Sequence, residues 1–244
     1  MNLPTVSVIV PTKNEAANLP HVLPLIPAWV HEVILVDGHS TDDTIATAQA
    51  LLPSIRIVQQ EGRGKGAALR TGFAAATGQV IVMIDADGSM DPREIPAFVG
   101  MLMSGWDFVK GSRFMAGGGT SDMTPLRYVG NLFFTVSVKV MFGANYTDLC
   151  YGYNAFWADV LPVLELDGDG FEIETMMNTR AVRAGLRVVE VPSYEADRIH
   201  GTSNLRTFPD GWRVLKTILR EAVRPQVRYE PNQRLTQISM LKGE

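Results

Sequence analysis

Two acidic residues that are two positions apart follow an apolar run in the first half of the chain. The run is Val80 to Ile84, and Asp85 and Asp87 come directly after it. Alternate side chains of a strand point the same way, so both carboxylates can face one point. Two anions held together need a cation, and a hard divalent ion that takes oxygen ligands, Mg²⁺ or Mn²⁺, meets that need. Proteins commonly hold Mg²⁺ with one or two carboxylates and substrate phosphates, so the pair predicts a phosphorylated substrate. The alternative is a turn whose acids cap the next helix.

Polar residues also follow two earlier β-branched runs. Residues 11–15 follow the run 5–10, and residues 37–44 follow the run 33–36. The segment 62–66, Gly-Arg-Gly-Lys-Gly, opens a helix whose first backbone N–H groups and lysine would suit a diphosphate. A capped turn, an N-cap cluster and a flexible loop are the separate alternatives. Together, at successive carboxyl ends of parallel strands, these segments predict one nucleotide-binding crevice.

Apolar runs alternate with helical patterns over the first 85 residues. The pattern predicts four buried strands, at 5–10, 33–36, 55–58 and 80–84. Between them it predicts a helix beginning at 14–19, one through Leu51 capped by Ser40 or Thr41, and one over 65–76 closed by Gly78. Such alternation is typical of an α/β fold with a mostly parallel sheet flanked by helices.

The pattern loosens after residue 91. It predicts a helix to about Ser104, a strand over 107–110, a mobile glycine-rich loop over 116–120, and then further elements over 125–142, 171–184, 187–191 and 210–223. No internal repeat or low-complexity tract divides the chain. We therefore expect one domain over 1–209, extended by an amphipathic helix and tail over 210–244.

Two of the predicted helices have unusual patterns. In 125–142, polar residues recur at every fourth position and form one narrow stripe on an otherwise apolar cylinder: Arg127, Asn131, Thr135 and Lys139. In 210–223 one face is expected to be apolar, with Trp212, Leu215, Ile218, Leu219 and Ala222, and the opposite face basic, with Arg213, Lys216 and Arg220. We expect peripheral contact with a membrane, and the alternatives are ordinary core packing and a homo-oligomer contact.

Composition excludes several classes of protein. The chain has 244 residues, 46% hydrophobic and 20% charged, which is typical of a globular protein and not of a disordered one. The net charge of −4 argues against nucleic acid as a partner, although residues 198–244 alone carry +5. Cys150 is the only cysteine, so no intramolecular disulfide forms. The start lacks a signal-peptide pattern and no stretch reaches ~18–20 apolar residues, so we expect a cytoplasmic protein, working at the cytoplasmic face of the membrane.

Eight motifs occur in order over about residues 5–206. They are VPTKNEAANL, EVILVDGHSTDDT, GRGKGAALRTGFAAATG, VIVMIDADGSMDP, VKGSR, TDLCYGYNAF, VVEVP and RIHGTSNL. With these motifs the chain resembles the family 2 glycosyltransferases of GT-A fold, and most of all the polyprenyl-phosphate branch, which is similar to dolichol-phosphate mannose synthase. The resemblance implies a Rossmann-like sheet and inverting transfer of a mannose- or glucose-type sugar. The donor would be a nucleotide-diphosphate sugar and the acceptor a polyprenyl phosphate.

The resemblance also implies roles for single residues. Asp85 and Asp87 would hold Mg²⁺ or Mn²⁺ on the donor diphosphate, with Ser89, where several branch members have Gln, as a weak or water-mediated ligand. The ion would neutralise the leaving nucleotide, which makes Asp87 catalytic as well. The remaining donor-binding positions implied are Pro11, Lys13, Glu15, Asp37, Gly64, Lys65 and, in the RIHGTS motif, Ser203. Many relatives have a second acid where this chain has Gly38.

The acceptor decides which catalytic groups are needed. A lipid phosphate is already anionic and needs cations to position it, and the candidates are Arg113, Arg127 and Arg198. A surface ion pair is the alternative for each of them. A hydroxyl acceptor would instead need a carboxylate base, first Asp148 and then Glu172 or Glu174.

Two rival classes stay open at this point. A sugar-phosphate nucleotidyltransferase also uses paired acids and Mg²⁺, but it is expected to carry a glycine-rich loop with an arginine where this chain has Pro11 to Glu15. A nucleotide-sugar sensor would keep the crevice without turnover. The presence of Asp85, Asp87 and Arg198 argues against the sensor.

Overall fold

The computed structural model describes residues 3–202 and 205–230, which contain nine strands. Their bounds are β1 Val6–Thr12, β2 Glu32–Asp37, β3 Arg56–Gln59, β4 Val80–Met83, β5 Phe108–Ser112, β6 Gly119–Thr120, β7 Asn154–Trp157, β8 Val188–Pro192 and β9 Tyr194–Glu195. Seven of them form one sheet in the order β3-β2-β1-β4-β7-β5-β8. Neighbours are parallel except β7, which runs antiparallel to β4 and β5. The strands β6 and β9 form a separate parallel pair.

Helices cover both faces of this sheet. One face carries α1 (Thr44–Leu51) and α3 (Ile95–Met103), and the other carries α2 (Lys65–Ala75), α5 (Leu161–Leu164) and α6 (Ile173–Arg183). Successive residues of β1 alternate between the two cores, which is why the strands are apolar throughout instead of alternating with polar residues.

Helix α2 packs closely on the sheet at Gly72. A Cβ atom there would collide with the side chain of Ile9 and would lie 2.9 Å from Cγ2 of Val36. This close approach fixes α2 against β1 and β2.

Two more helices form a layer outside α6. They are α4 (Pro125–Phe142) and α7 (Thr207–Val223). The hydroxyl of Thr124 caps α4 by accepting the N–H of Arg127 at 3.3 Å, and Gly143 ends it with φ at 70°. A small apolar cluster that includes Val138, Val214 and Ile218 joins α4 to α7.

A buried ion pair holds α7 against α6. Nε and Nη2 of Arg180 lie 3.0 Å and 2.7 Å from Oε1 of Glu221, and the glutamate is fully buried. The position of α7 along the protein is therefore fixed by charge as well as by apolar packing.

The predicted α/β fold with a mostly parallel sheet is confirmed, and two local predictions were wrong. Residues 14–19 do not begin an α-helix, because Pro20 and Pro24 limit the chain to short 3-10 turns at Leu19–His21 and Leu23–Leu25. Helix α1 begins at Thr44, whose N–H donates to Asp42, so neither Ser40 nor Thr41 caps it. The glycine-rich segment contributes β6 to a strand pair, and β7 was not foreseen.

Candidate active site

One large crevice collects most of the predicted site residues. It has a volume of about 1280 Å³, opens at the carboxyl ends of β1, β2 and β4, and continues between α4 and α7. The predicted residues that line it are Pro11, Lys13, Glu15, Gly64, Lys65, Asp85, Asp87, Ser89, Arg113, Arg127 and Arg198. Asp37 and Asp148 do not line it, and Ser203 lies outside the described residues.

Asp85, just after β4, is bonded to a lysine at the start of α2. Nζ of Lys65 lies 2.7 Å from Oδ1 of Asp85 and 2.8 Å from Oε1 of Glu174 on α6. Burial alone would lower the pKa of Lys65, but the two carboxylates raise this pKa above its ordinary value. Burial raises the pKa of Glu174, and the charge of Lys65 opposes that rise. Lys65, Asp85 and Glu174 are called the Asp85 triad below.

Asp87 is bonded to an arginine in the same way. Nη2 of Arg198 lies 3.2 Å from Oδ2 of Asp87, and Nη1 lies 2.9 Å from Oε1 of Glu15, which follows β1. Burial alone would lower the pKa of Arg198, but its bonds to Glu15 and the charge of Asp87 raise it. Arg198, Asp87 and Glu15 are called the Asp87 triad.

Ser89 orients the carboxylate of Asp87. Its backbone N–H and its hydroxyl donate to Oδ1 of Asp87 at 3.0 Å and 2.7 Å. The segment after β9 runs over this turn, because the N–H of Ala196 donates to the carbonyl of Ser89 and the N–H of Ile199 to that of Asp87. The backbone on both sides of Arg198 is therefore bonded to the turn that carries Asp87 and Ser89.

The end of the crevice next to β1 and β2 is lined by Pro11, Lys13, Gly38, His39 and Gln60. Asp37 lies beneath this wall and is 2% exposed. Its carboxylate accepts the N–H of Ser40 at 3.2 Å and a side-chain N–H of Gln59 at 3.1 Å. The structure thus places Asp37 as a support of the turn that carries Gly38 and His39, and not on the crevice wall where the resemblance implied it.

The glycine-rich start of α2 is packed against residues 168–170. A Cβ atom on Gly64, whose φ is +95°, would collide with the carbonyl oxygen of Asp169. That oxygen accepts the N–H groups of Gly66 at 2.8 Å and Ala67 at 3.3 Å. The expectation that the first N–H groups of α2 are free for a diphosphate therefore needs correction, since two of them already have a partner.

Arg113 and Asp148 form a buried ion pair. Nε and Nη2 of Arg113 lie 2.6 Å and 2.8 Å from the two oxygens of Asp148, which is fully buried. The third nitrogen, Nη1, lies 2.9 Å from Glu195. Burial would raise the pKa of Asp148, but its bonds from Arg113 hold this pKa below the ordinary value. A general base needs a lone pair that reaches the substrate, so this arrangement speaks against Asp148 in that role.

The other predicted bases differ in access. Glu174 lines the crevice, whereas Glu172 does not. Oε1 of Glu172 accepts the N–H groups of Asp169 at 3.1 Å and Gly170 at 2.9 Å, which fixes the loop before α6. Of the carboxylates suggested for a hydroxyl acceptor, Glu174 is the one that the structure brings to the site.

Arg127, near the start of α4, is held more loosely than Arg113. Its Nη1 atom lies 3.5 Å from Oδ2 of Asp122, and a quarter of its side chain is exposed. An exposed pair at this distance contributes little, so the guanidinium can leave Asp122 for an anionic ligand at low cost.

Helix α4 buries the middle of its polar stripe, leaves Lys139 at the end of the stripe exposed, and exposes most of its large apolar side chains. Asn131 and Thr135 are buried and accept the backbone N–H groups of Cys150 at 3.0 Å and Leu149 at 3.2 Å. The outer face carries six large apolar side chains that are 49–79% exposed: Leu126, Val129, Leu132, Phe133, Val136 and Val140. This is the reverse of a helix that covers an apolar core.

Helix α7 also presents an apolar strip to the outside. The predicted single apolar face is divided, because Ile218 is buried while Trp212 and Leu219 are more than half exposed. The exposed strip consists of Phe208, Trp212, Leu219 and Val223. The same helix carries the basic residues Arg213, Lys216 and Arg220. Four of the exposed side chains of the two helices also line the far end of the crevice, together with Phe134 and Leu215: Val129, Phe133, Phe208 and Trp212. Among the described helices, none is long and apolar enough to span a membrane.

Sequence reasoning missed two residues that hold this site together. Glu195 binds Arg113 and also accepts the hydroxyl of Thr120 at 2.7 Å. Asn18 donates to Glu15 at 2.5 Å and accepts the N–H of His200 at 2.9 Å. Neither lies in a pattern that indicates its partner, because the partners come from distant parts of the chain.

The donor set at Asp85 and Asp87 suits a divalent ion that shares its coordination with substrate. Both groups offer carboxylate oxygens, which Mg²⁺ and Mn²⁺ prefer, and both line the crevice. Within the described part of the chain, no three His, Cys, Asp or Glu side chains are placed to hold one ion. The residues therefore fit an ion whose other ligands are a diphosphate and water, and not a closed metal cage.

Comparison with known proteins gives three results. The sequence model described as Glycosyl transferase family 2 matches residues 7–163. An undecaprenyl-phosphate mannosyltransferase of Micrococcus luteus is 33% identical over 211 residues, which cover 81% of this chain and 86% of that protein. A low-salt glycan biosynthesis hexosyltransferase of Haloferax volcanii is 31% identical over 88% of this chain. This chain spans about half of that relative's length, 53%.

The solved structures include a glucosyl-3-phosphoglycerate synthase from Mycobacterium tuberculosis. Its complex with Mn²⁺, UDP and glucosyl-3-phosphoglycerate has a TM-score of 0.70 with this chain at 25% identity. The match covers 91% of this chain and 81% of that one.

Proposed function

Because the chain belongs to glycosyl transferase family 2 and is a glycosyltransferase with the GT-A fold, we propose that it moves a mannose- or glucose-type sugar to a polyprenyl phosphate. The donor is a nucleotide-diphosphate sugar, the divalent ion is Mg²⁺ or Mn²⁺, and transfer occurs with inversion. One observation carries the proposal: the crevice joins the two carboxylates at one end to an apolar groove between α4 and α7 at the other. A sugar diphosphate suits the first end, and an isoprenoid chain suits the second.

The donor end would lower the cost of the charge that develops on the leaving nucleotide. A divalent ion held by Asp85 and Asp87 supplies Lewis-acid stabilisation of that charge. Lys13 and Arg198 line the same end of the crevice and add positive charge next to the diphosphate. Ser89 keeps the carboxylate of Asp87 in one orientation.

The acceptor end would need positive charge and no base. A lipid phosphate is anionic at neutral pH, so it can attack without giving up a proton. Arg127 suits the phosphate, because it lines the crevice and its partner Asp122 lies 3.5 Å away. The binding of Asp148 to Arg113 supports this acceptor over a hydroxyl, since it removes the first-choice base.

The outer faces of α4 and α7 suit an anionic bilayer. The exposed apolar residues of α7 share that helix with Arg213, Lys216 and Arg220, so apolar insertion and attraction to anionic headgroups can act together. The groove that would take the isoprenoid chain opens between these faces. A membrane-bound acceptor would then reach the carboxylates without leaving the bilayer completely.

A soluble phosphorylated hydroxyl acid is the second candidate acceptor. The similar structure from Mycobacterium tuberculosis holds glucosyl-3-phosphoglycerate. Glu174 lines the crevice and would be the base, and Lys65 lies 2.8 Å from its Oε1 atom. This candidate keeps the same donor chemistry and replaces the lipid by a small anion.

Thermal stabilisation by ligands tests the donor assignment. The full chain is melted with GDP, UDP, dTDP and their sugars, each with Mn²⁺ and with chelator, because a ligand that binds only the folded state raises the melting temperature. We expect a Mn²⁺-dependent rise with one nucleotide, and we expect D87A to lose the rise without unfolding. D197A, which removes an exposed carboxylate outside the crevice lining, is the matched control. Equal Mn²⁺-dependent affinity in D87A and the parent protein would refute the metal assignment.

Product analysis then separates the two acceptors. The identified donor is incubated with undecaprenyl phosphate in vesicles and, separately, with 3-phosphoglycerate. Sugar transferred to the lipid phosphate supports the proposal. Transfer only to the soluble acid would replace it by the second candidate.

A further inference from the structure

Each carboxylate that would hold the divalent ion already has a cation of the protein as its partner. In the Asp85 triad the ammonium of Lys65 lies 2.7 Å from Asp85, and in the Asp87 triad Arg198 lies 3.2 Å from Asp87. Both cations are mostly buried, with 13% and 18% of their side chains exposed. An entering ion therefore meets carboxylates that are engaged, and it must compete for them.

The second carboxylate of each triad lies deeper than the one that faces the crevice. In the Asp85 triad the exposed fraction is 28% for Asp85 and 4% for Glu174. In the Asp87 triad it is 16% for Asp87 and 7% for Glu15. Each cation thus lies between an outer carboxylate and an inner one, and it keeps a partner if the outer carboxylate turns away.

The formal charges of the two triads suit one divalent ion. With all groups ionised, each triad has two carboxylates and one cation, which leaves one negative charge. The two triads together carry two negative charges beside one crevice. A single divalent ion balances them, whereas uncompensated charges at such partly buried positions are costly.

We propose that Lys65 and Arg198 are resident counter-cations that compete with the divalent ion for Asp85 and Asp87, and that Glu174 and Glu15 retain them when the ion binds. This inference rests on the metal assignment of the proposed function. It adds that the inner carboxylates are positioning residues, which act on the metal site through a cation.

Each triad also has an unused polar atom that can take up a new bond. Oε2 of Glu174 and Nε of Arg198 are buried and have no hydrogen-bond partner among the described residues. A buried atom of this kind is costly unless some state of the protein satisfies it. Lys65 can bind both oxygens of Glu174 after it leaves Asp85, and Nε of Arg198 can donate to a phosphate oxygen.

Metal and donor should consequently bind cooperatively. The ion alone must displace two cations, whereas a diphosphate that arrives with it gives those cations new anionic partners. Coupling of this kind is reciprocal, so the nucleotide should strengthen metal binding by the same factor as the metal strengthens nucleotide binding.

The test measures Mn²⁺ binding to the full chain by electron paramagnetic resonance of free Mn²⁺, first alone and then with GDP and, separately, with UDP. Removing a counter-cation should tighten binding of Mn²⁺ alone, by about tenfold in K65M, since a nearby like charge is lost. Removing an inner carboxylate should have the opposite effect, so E174Q should weaken the binding of Mn²⁺ alone. R198M and E15Q form a second matched pair with the same two signs. The gain in Mn²⁺ affinity on adding nucleotide should be smaller in K65M and R198M than in the parent protein.

Opposite signs within a pair distinguish this proposal from a merely structural role. If all four variants weaken Mn²⁺ binding, or leave it unchanged, Lys65 and Arg198 are not competitors of the ion and the inference is wrong. Circular dichroism identifies any variant that fails to fold, and the other pair then gives the answer. D85N is the control for the site itself. Two results would instead overturn the metal assignment of the proposed function. One is a parent protein that binds no Mn²⁺ with either nucleotide, and the other is equal Mn²⁺ affinity in D85N and the parent protein.

Discussion

Replacing Asp148 by Asn separates a structural ion pair from a catalytic base. Asp148 is fully buried, and both of its oxygens accept bonds from the Arg113 side chain, at 2.6 Å and 2.8 Å. The fully buried Lys110 adds a second positive charge close to it. D148N keeps the shape of the side chain and removes the negative charge that these two cations share.

The cost can be worked from these contacts. Removing one partner of a buried ion pair costs about 3–5 kcal/mol. Glu195 still binds Nη1 of Arg113 at 2.9 Å, so we expect the lower end, about 3 kcal/mol. For a chain of this length about 1 kcal/mol shifts the melting temperature by about 2–4 °C, which predicts a fall of about 6–12 °C.

Differential scanning calorimetry measures this fall, and D122N is the matched control. Asp122 pairs with Arg127 at 3.5 Å and its side chain is 44% exposed, so D122N should cost less than about 1 kcal/mol. The reasoning is refuted if D148N melts like the parent protein and yet loses sugar transfer by two orders of magnitude. That result would make Asp148 a catalytic group that the described contacts do not reveal.

Two further predictions concern the surface of α4 and the acid limit of stability. V136E should abolish flotation with anionic vesicles and change the free energy of unfolding by no more than about 0.5 kcal/mol, because Val136 is 49% exposed. A46E, at an exposed position of α1 on the other face of the sheet, is the control, and unchanged flotation of V136E would contradict the membrane face. The second prediction concerns Glu32. Burial alone would raise the pKa of this carboxyl group, but hydrogen bonds from Ser7, Thr77 and Arg56 lower it from 4.5 to about 2. Its stabilising contribution is therefore complete above pH 4.5 and disappears as the pH falls toward 2, so urea titrations of E32Q should show less loss of stability over that interval than the parent protein, and parallel curves would disprove the linkage.

Local signals in the sequence predicted the elements well. Helix α4 was predicted over 125–142 and is found at Pro125–Phe142, because a proline at its first position and Gly143 after its end mark both limits. The strands β1, β2 and β4 were recognisable as apolar runs that end in polar residues. Strand β7 was not, since four residues between loops carry too little pattern, and its antiparallel direction depends on a connection that the sequence does not describe.

The convergence of the site residues was also predictable, but their partners were not. The carboxyl ends of parallel strands meet at one edge, which placed Asp85 and Asp87 near Glu15. Glu174 enters from α6, far along the chain, so its bond to Lys65 has no local signal. The periodicity of α4 gave a correct polar stripe and left open which side of the helix faces the protein. That choice depends on Asn131 and Thr135 capping the N–H groups of the segment 149–150, a tertiary contact.

On the proposed function, the exposed apolar side chains of α4 oppose solubility in water but are needed to reach the acceptor. Selection for yield or heat resistance in water should favour polar replacements on its outer face, because these side chains contribute almost nothing to the folded core and promote self-association. Such variants would keep the sheet and the donor site and, on the proposed function, would lose the surface that meets the acceptor. An improved laboratory protein of this kind is therefore the one most apt to be scored as inactive on a natural acceptor while it still recognises its nucleotide.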